Sequence, residues 1–235
     1  MRDINIKGTR IIDLSQTIEP DIPMPVGFPG PCFEWFRSQD RGDVINVERA
    51  TLSFHMATHV DAPSHFFSHL KTIDELPPEC LIGPAIVVDL TKKKGHAPIE
   101  AEDIKEWEAA TGERIQPGDA VLLHTGHSQH WHVGEAGKDF WANGWPFMTH
   151  GSVDYLVLRQ IRLIGVESMD PDLVDPNDLS TAEFTAHRTF LPKGILIIEN
   201  LTNLDKIPGR RCQLIAVPLK LKGCSGSPVR VLAVI

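Results

Sequence analysis

Ser53-Phe54-His55-Met56-Ala57-Thr58-His59-Val60-Asp61-Ala62-Pro63-Ser64-His65 is the stretch on which the reading of this 235-residue chain turns. It gathers three of the 11 histidines and an aspartate into one short segment bracketed by apolar residues. In an extended strand, side chains two apart share a face, so His55, Ala57, His59 and Asp61 would converge on one side. A helix would align His55 with His59 but turn Asp61 away from them. The strand therefore brings more ligands together with fewer assumptions, and small Ala57 leaves room for an ion between the rings. Two imidazoles and a carboxylate suit zinc or manganese without any thiolate. The competing reading is a solvated histidine cluster, which would have no need of small apolar residues between the rings.

The run His-Met-Ala-Thr-His-Val-Asp-Ala-Pro-Ser-His resembles the His-x-Gly-Thr-His-x-Asp-x-Pro-x-His signature of the cyclase family of metal-dependent hydrolases. That family includes bacterial kynurenine formamidases and isatin hydrolases. One position departs, because Ala57 stands where the family usually has Gly. If the backbone there takes a positive φ, Ala is strained; if Gly only provides space, Ala suffices.

Glu199 ends the otherwise apolar run Ile195-Leu196-Ile197-Ile198. A carboxylate in that position must be paired, ligated or exposed at a rim, because burying it alone is costly. His187 lies twelve positions earlier on a predicted helix, and a helix, tight turn and strand would bring the two together. His187-Arg188, Gly194-Ile195 and Glu199-Asn200-Leu201 match the family context in which a His and a Glu complete the metal centre. The resemblance implies that His55, His59 and Asp61 hold one divalent ion. Asp61, His187 and Glu199 would hold a second, so one or two ions of zinc or manganese are expected. It further implies that His65 transfers protons; His69, one helical turn on, is a second candidate or a support for that task.

The formal charge of −8 argues against a nucleic-acid or anionic-membrane partner, since both need basic patches. Hydrophobic residues make up 42% of the chain, enough for a substantial core, and residues 1–235 are expected to form one domain. The N-terminus carries charges and no apolar core of a signal peptide, and no apolar run spans a bilayer, so a cytoplasmic location is expected. Cys32, Cys80, Cys212 and Cys224 lack Cys-x-x-Cys spacing and read as reduced, buried small hydrophobes.

Arg10–Leu14, Val44–His59, Ala85–Leu90, Ala120–Thr125, Ile161–Val166, Ile195–Asn200, Ile215–Leu219 and Val229–Ile235 read as strands. Ser64–Leu70 suits a helical turn opened by Pro63, while Ile99–Ala110, Ser152–Gln160 and Ala182–Phe190 read as helices. The first of these helices should be capped near Gly112. Alternating strands and helices indicate an α/β protein, and the resemblance implies the swivelling β/β/α type. The Pro- and Gly-rich segment 19–31 must be irregular, either a surface crossover or a stiff loop over a pocket. Gly126–Gly151 carries His127, His130, His132, Trp131, Trp141 and Trp145 and reads as an exposed aromatic loop, forming a pocket wall or a subunit contact.

The expected activity is metal-dependent hydrolysis of a small, aryl amide or formamide, with N-formylkynurenine yielding kynurenine and formate as the family pattern. Lactam or lactone hydrolysis of the isatin kind is the alternative. Outside catalysis, a metal-binding or assembly protein on the same fold would need the ligands but not a poised His65. Phe28-Pro29-Gly30 stands where formamidases have Trp-Pro-Gly, so Phe28 is the candidate ring over an aryl substrate. The expected partners are a small-molecule substrate and further copies of the chain, as a homodimer or homotetramer. No Gly-x-Ser-x-Gly motif supports a serine nucleophile.

Overall fold

Four apolar segments set the framework of the computed structural model, which describes residues 10–134, 137, 139–142, 144–175 and 177–235. β5 (Ile82–Asp89), β7 (Ala120–His124), β9 (Leu163–Val166) and β10 (Leu196–Glu199) pair in parallel, in that order. Their near-continuous apolar character fits strands buried on both faces. Ile86, Val88, Val121, Leu123, Ile164 and Ile197 point to the helical layer, and Val87, Leu122, Leu163, Leu196 and Ile198 to the opposite cluster. Beyond β10 the sheet continues antiparallel through β4 (His59–Asp61) and β12 (Gly226–Pro228). Beyond β5 it continues through β11 (Arg211–Ile215), β13 (Leu232–Val234) and β1 (Ile11–Asp13), making nine strands. β6 (Pro98–Ile99) and β8 (Phe147–Met148) form a short parallel pair of their own.

The sheet curls upon itself. Ser15, just after β1, bridges Leu201, just after β10, and the Thr202 N–H donates to the Leu14 carbonyl at 3.0 Å. One core lies inside the curl, and a second lies under α1 (Ala101–Thr111), α3 (His150–Leu158) and α4 (Thr185–Phe190), the β/β/α layering expected. The short α2 (Asp139–Ala142) precedes β8. α1 ends where Gly112 takes φ +74°, a left-handed cap that glycine adopts without a Cβ clash. Among the described residues, no helix is long and apolar enough to cross a membrane.

Several expectations need correction. The one or two strands predicted over 44–59 prove to be β3 (Val47–Thr51) and the start of β4 at His59, with β3 paired antiparallel to the unforeseen β2 (Cys32–Arg37) in a separate ribbon with exposed faces. The strand at 215–219 sits earlier, as β11, with only Ile215 of the expected span in it; Pro218, which lacks an N–H, makes just an isolated bridge to Val229. The aromatic stretch after Gly126 is not simply exposed: Phe140 and Trp145 are fully buried, and the Trp145 indole N–H donates to the Asp172 carbonyl at 3.1 Å. All four cysteines are free, but only Cys212 is buried, and Cys32 lies exposed on β2.

Candidate metal centre and pocket

The centre is built at one edge of the parallel strands. In the β4–β10 ladder, His59 stands opposite Glu199 and Asp61 opposite Ile197. His59 and Asp61, two residues apart, share the face that looks toward α4. α4, the turn Leu191–Lys193 and β10 return the chain upon itself, setting His187 Nε2 3.4 Å from Glu199 Oε1 and 3.5 Å from Asp61 Oδ2. His59 Nε2 lies 3.5 Å from Asp61 Oδ1 and 3.3 Å from Glu199 Oε2. The pairing of His187 with Glu199 is thus the one expected from helix, turn and strand.

The strand through His55 is not observed. Ala57 has φ +45°, which breaks the extended chain, and β4 begins only at His59. The positive φ is therefore real, and Ala57 occupies a left-handed position that its Cβ disfavours. The turn gives the Ala57 carbonyl two partners: it accepts from His59 Nδ1 at 3.0 Å and from Asn200 Nδ2 at 2.9 Å. His55 consequently approaches from an irregular segment, with Nδ1 2.7 Å from Asp61 Oδ1 and Nε2 2.9 Å from Ser225 Oγ. Gly226 makes this possible, since a Cβ there would sit 2.5 Å from His55 Cε1.

His59 and His187 are each held from behind through Nδ1, whereas His55 is engaged at both nitrogens. The Ala57 carbonyl takes the Nδ1–H of His59, and Asp172 Oδ2, at 2.8 Å, takes that of His187. Both Nε2 atoms are left facing Asp61 and Glu199, the orientation that outer partners impose on metal-binding histidines. Asp172 also accepts the Ala186 N–H at 2.6 Å and the His187 N–H at 3.2 Å, capping the start of α4. His65 follows a short turn opened by Pro63 and stacks on His55, ring centroids 3.8 Å apart.

Electrostatics set this group apart from a solvated cluster. Burial pushes the Glu199 carboxyl well above its ordinary range, and burial pushes Asp170 up to about 8. Burial likewise strips protons from His59, down to about 4, and from His65, down to about 3, although the open side of the His65 ring admits water that tempers the effect. Asp61 and His187 shift the other way: against their burial, the His65, His59 and His55 rings hold Asp61 well below the usual carboxylate range, and Asp170 and Asp172 hold His187 well above the usual imidazole range. Asp61 Oδ2 is buried without a hydrogen bond, with His187 Nε2 3.5 Å away, which leaves room for a cation between them. Among the described residues three ligand groups form, His55/Asp61/His65, His59/Asp61/Glu199 and Asp170/His187/Glu199. These residues fit a divalent ion of oxygen- and nitrogen-binding character.

A cavity of about 330 Å³ opens onto the centre. Phe28, Met24 and Pro25 from the irregular segment, Phe66, Phe184 and Trp141 form its apolar walls. Phe28 is thus in the expected place, on the stiff loop, and Trp141 reaches the cavity from the same chain. His69 is exposed and does not line the cavity; His130 and His132 do not either. Sequence reasoning missed Asp170, Asp172 and Ser225. The two aspartates had a signal, because Glu167, Asp170 and Asp172 follow buried β9 where α/β sheets place their ligand crevices. Nothing local marks Ser225.

The fold and the buried cluster of imidazoles and carboxylates define a metal-dependent hydrolase. The chain belongs to the cyclase family: the family model described as "Putative cyclase" matches residues 12–173. Kynurenine formamidase from Bacillus thuringiensis (strain Al Hakam) is 34% identical over 229 residues, covering 96% of this chain and 97% of its own. Isatin hydrolase A from Labrenzia aggregata, solved bound to benzyl benzoate, superposes with a TM-score of 0.83 at 30% identity, covering 96% of this chain and 93% of its own. A structure described as a potential metal-dependent hydrolase with cyclase activity gives a TM-score of 0.73 at 26% identity, covering 95% and 96%.

Proposed function

We propose that the chain hydrolyses the C–N bond of a small aryl amide, either a formamide of the N-formylkynurenine kind or a lactam of the isatin kind. The observation that carries this reading is Asp61, a buried carboxylate among three imidazoles with one oxygen left without a hydrogen bond. His55, His59, Asp61, His187 and Glu199 would hold zinc or manganese, in one or two equivalents. When bound, such an ion supplies Lewis acidity, lowering the pKa of water from about 15.7 toward about 7 and polarising the amide carbonyl.

The chain's own residues do the rest. Ala57, Asp172 and Ser225 hold the three imidazoles in register. His65, kept neutral in the pocket, takes the proton of the attacking water and delivers it to the leaving nitrogen. His69 lies outside the cavity, so proton transfer is assigned to His65. Phe28 and Trp141 hold the aryl ring and exclude water. The formamidase relatives favour the formamide, and the isatin hydrolase neighbours favour the lactam; benzyl benzoate, held by one of them, is an aromatic ester of matching apolar character.

Turnover of formanilide and isatin by the purified protein, lost on chelation and restored by zinc or manganese, is the expected result. A fully metal-loaded protein that hydrolyses no aryl amide or lactam would sink the reading. The assembly we propose is a homodimer or homotetramer, supported by Phe33, Trp35 and Phe36 exposed on the β2–β3 ribbon. Sedimentation showing only a monomer at micromolar concentration would refute it.

A further inference from the structure

Arg188 follows His187 on α4 and is exposed. Its guanidinium carbon lies over the Phe66 ring, 5.7 Å from the centroid. Phe66 in turn stacks on the His187 imidazole, centroids 4.6 Å apart and planes 27° from parallel, and lines the cavity that opens onto the metal centre. Phe184, just before α4, meets Phe66 edge-on with centroids 5.0 Å apart, so the ring is held by two neighbours. One fixed aromatic ring thus connects a metal-centre histidine to a cation at the edge of the cavity.

Stacking positions a guanidinium but uses none of its N–H groups. Elsewhere an arginine that lies over a ring also finds an acid. Arg37, over Phe36, pairs with Asp43 at 3.0 Å, and Arg159, over Tyr155, pairs with Glu108 at 3.0 Å. Arg188 has neither a carboxylate nor a carbonyl partner among the described residues. Its planar fork of N–H donors is left to a ligand or to water, and that fork matches a carboxylate with two parallel hydrogen bonds. The chain as a whole carries −8, so an anionic substrate needs a local cation to hold it. The ion assigned to the centre serves the scissile amide, and Arg188 stands apart from it on the Phe66 wall. The cavity, about 330 Å³, is at the small end of the roughly 300–1,000 Å³ typical of ligand sites and suits one ring and its amide. A side chain on that ring must run out along the wall.

We infer that Arg188 is a specificity-determining residue, which receives a carboxylate carried on the side chain of an aryl formamide substrate. This rests on the aryl-amide reading above. It deepens that reading by selecting, within the class, an anionic substrate and the residue that recognises it.

A pair of substrates of one shape tests it: ortho-formamidophenyl ketones whose short alkyl tail ends either in a carboxylate or in a neutral carboxamide. The metal-loaded parent should prefer the carboxylate by about tenfold or more in kcat/KM, the usual worth of charge-assisted hydrogen bonds. Arg188→Gln should abolish that preference. The loss should fall on KM for the carboxylate and spare kcat, as for a contact made alike in ground and transition states. Arg188→Lys, which keeps the charge but not the fork, should keep part of the preference. A merely structural role would weaken both substrates alike in Arg188→Gln. That result, or a parent indifferent to the carboxylate, overturns the inference. Should the parent hydrolyse neither compound, the assigned reaction falls, and calorimetry with the carboxylate-tailed ortho-aminophenyl ketone decides Arg188 separately. Binding that weakens about tenfold in Arg188→Gln sustains the carboxylate site. Binding indifferent to that change, or no binding to the parent, overturns it.

Discussion

His65 and Ala57 show how single residues divide between chemistry and geometry. His65 stacks on His55 and belongs to one of the candidate ligand groups, yet its proposed work is proton transfer. His65→Gln should keep its metal content and lose about 10²–10⁴ in kcat, the usual worth of a general acid–base group. Elemental analysis showing metal gone along with activity would make it a ligand instead. Ala57 is a closer balance. Its left-handed φ costs about 1–2 kcal/mol, which glycine would relieve. Against that stand about 0.5–1 kcal/mol of extra chain entropy for glycine and about 0.8 kcal/mol for the buried methyl. The terms nearly cancel, so Ala57→Gly should alter stability by less than about 1 kcal/mol by urea unfolding. A decrease above about 2 kcal/mol would mean that the methyl packs more tightly than this reasoning allows. The same cancellation explains why alanine is tolerated where the family signature has glycine.

At the scale of elements, the loop after β9 governs α4. Asp172 accepts both N–H groups at the start of that helix and faces His187 Nδ1, so one carboxylate sets the helix position and the ring that points into the centre. Asp172→Asn keeps most of the shape but removes the charge behind His187. Metal affinity should fall about 10–100-fold, the usual effect of losing such a partner, as read by competition with a chelator of known affinity. Unchanged affinity would reduce Asp172 to a helix cap. The signature between His55 and His65 was legible because its residue types are chemical and closely spaced. Asp172 was not, because its role depends on a loop and a helix meeting across a gap of fifteen residues from His187. The extended reading of residues 55–58 failed for a related reason: hydrogen bonds from His59 and Asn200 to the Ala57 carbonyl favour a turn that residue alternation cannot reveal.

For the molecule as a whole, acid stability should depend on His127, which is distant from the centre in sequence and buried against Phe140. Burial lowers its pKa to about 4, so the unfolded chain, with an ordinary histidine near 6.5, binds the proton first. Stability from this group is therefore complete above about pH 6.5 and declines as pH falls toward 4, by on the order of 3 kcal/mol. His127→Gln should flatten that decline between pH 6.5 and 4 in urea midpoints, whatever it costs at neutral pH; parallel curves would remove His127 from the account. The sequence by itself determined the apolar strands β5, β7, β9 and β10, the helices with their glycine cap, and the ligand types, because these follow from short-range periodicity and from the cost of burying unpaired charge. Only the tertiary structure decided which nitrogen of each histidine faces the centre, how β1 meets the end of β10 through Ser15 and Leu201, and which aromatic residues wall the cavity. Those are contacts between residues far apart in the chain, chosen by packing and by the direction of backbone carbonyls, and neither leaves a local trace in the order of amino acids.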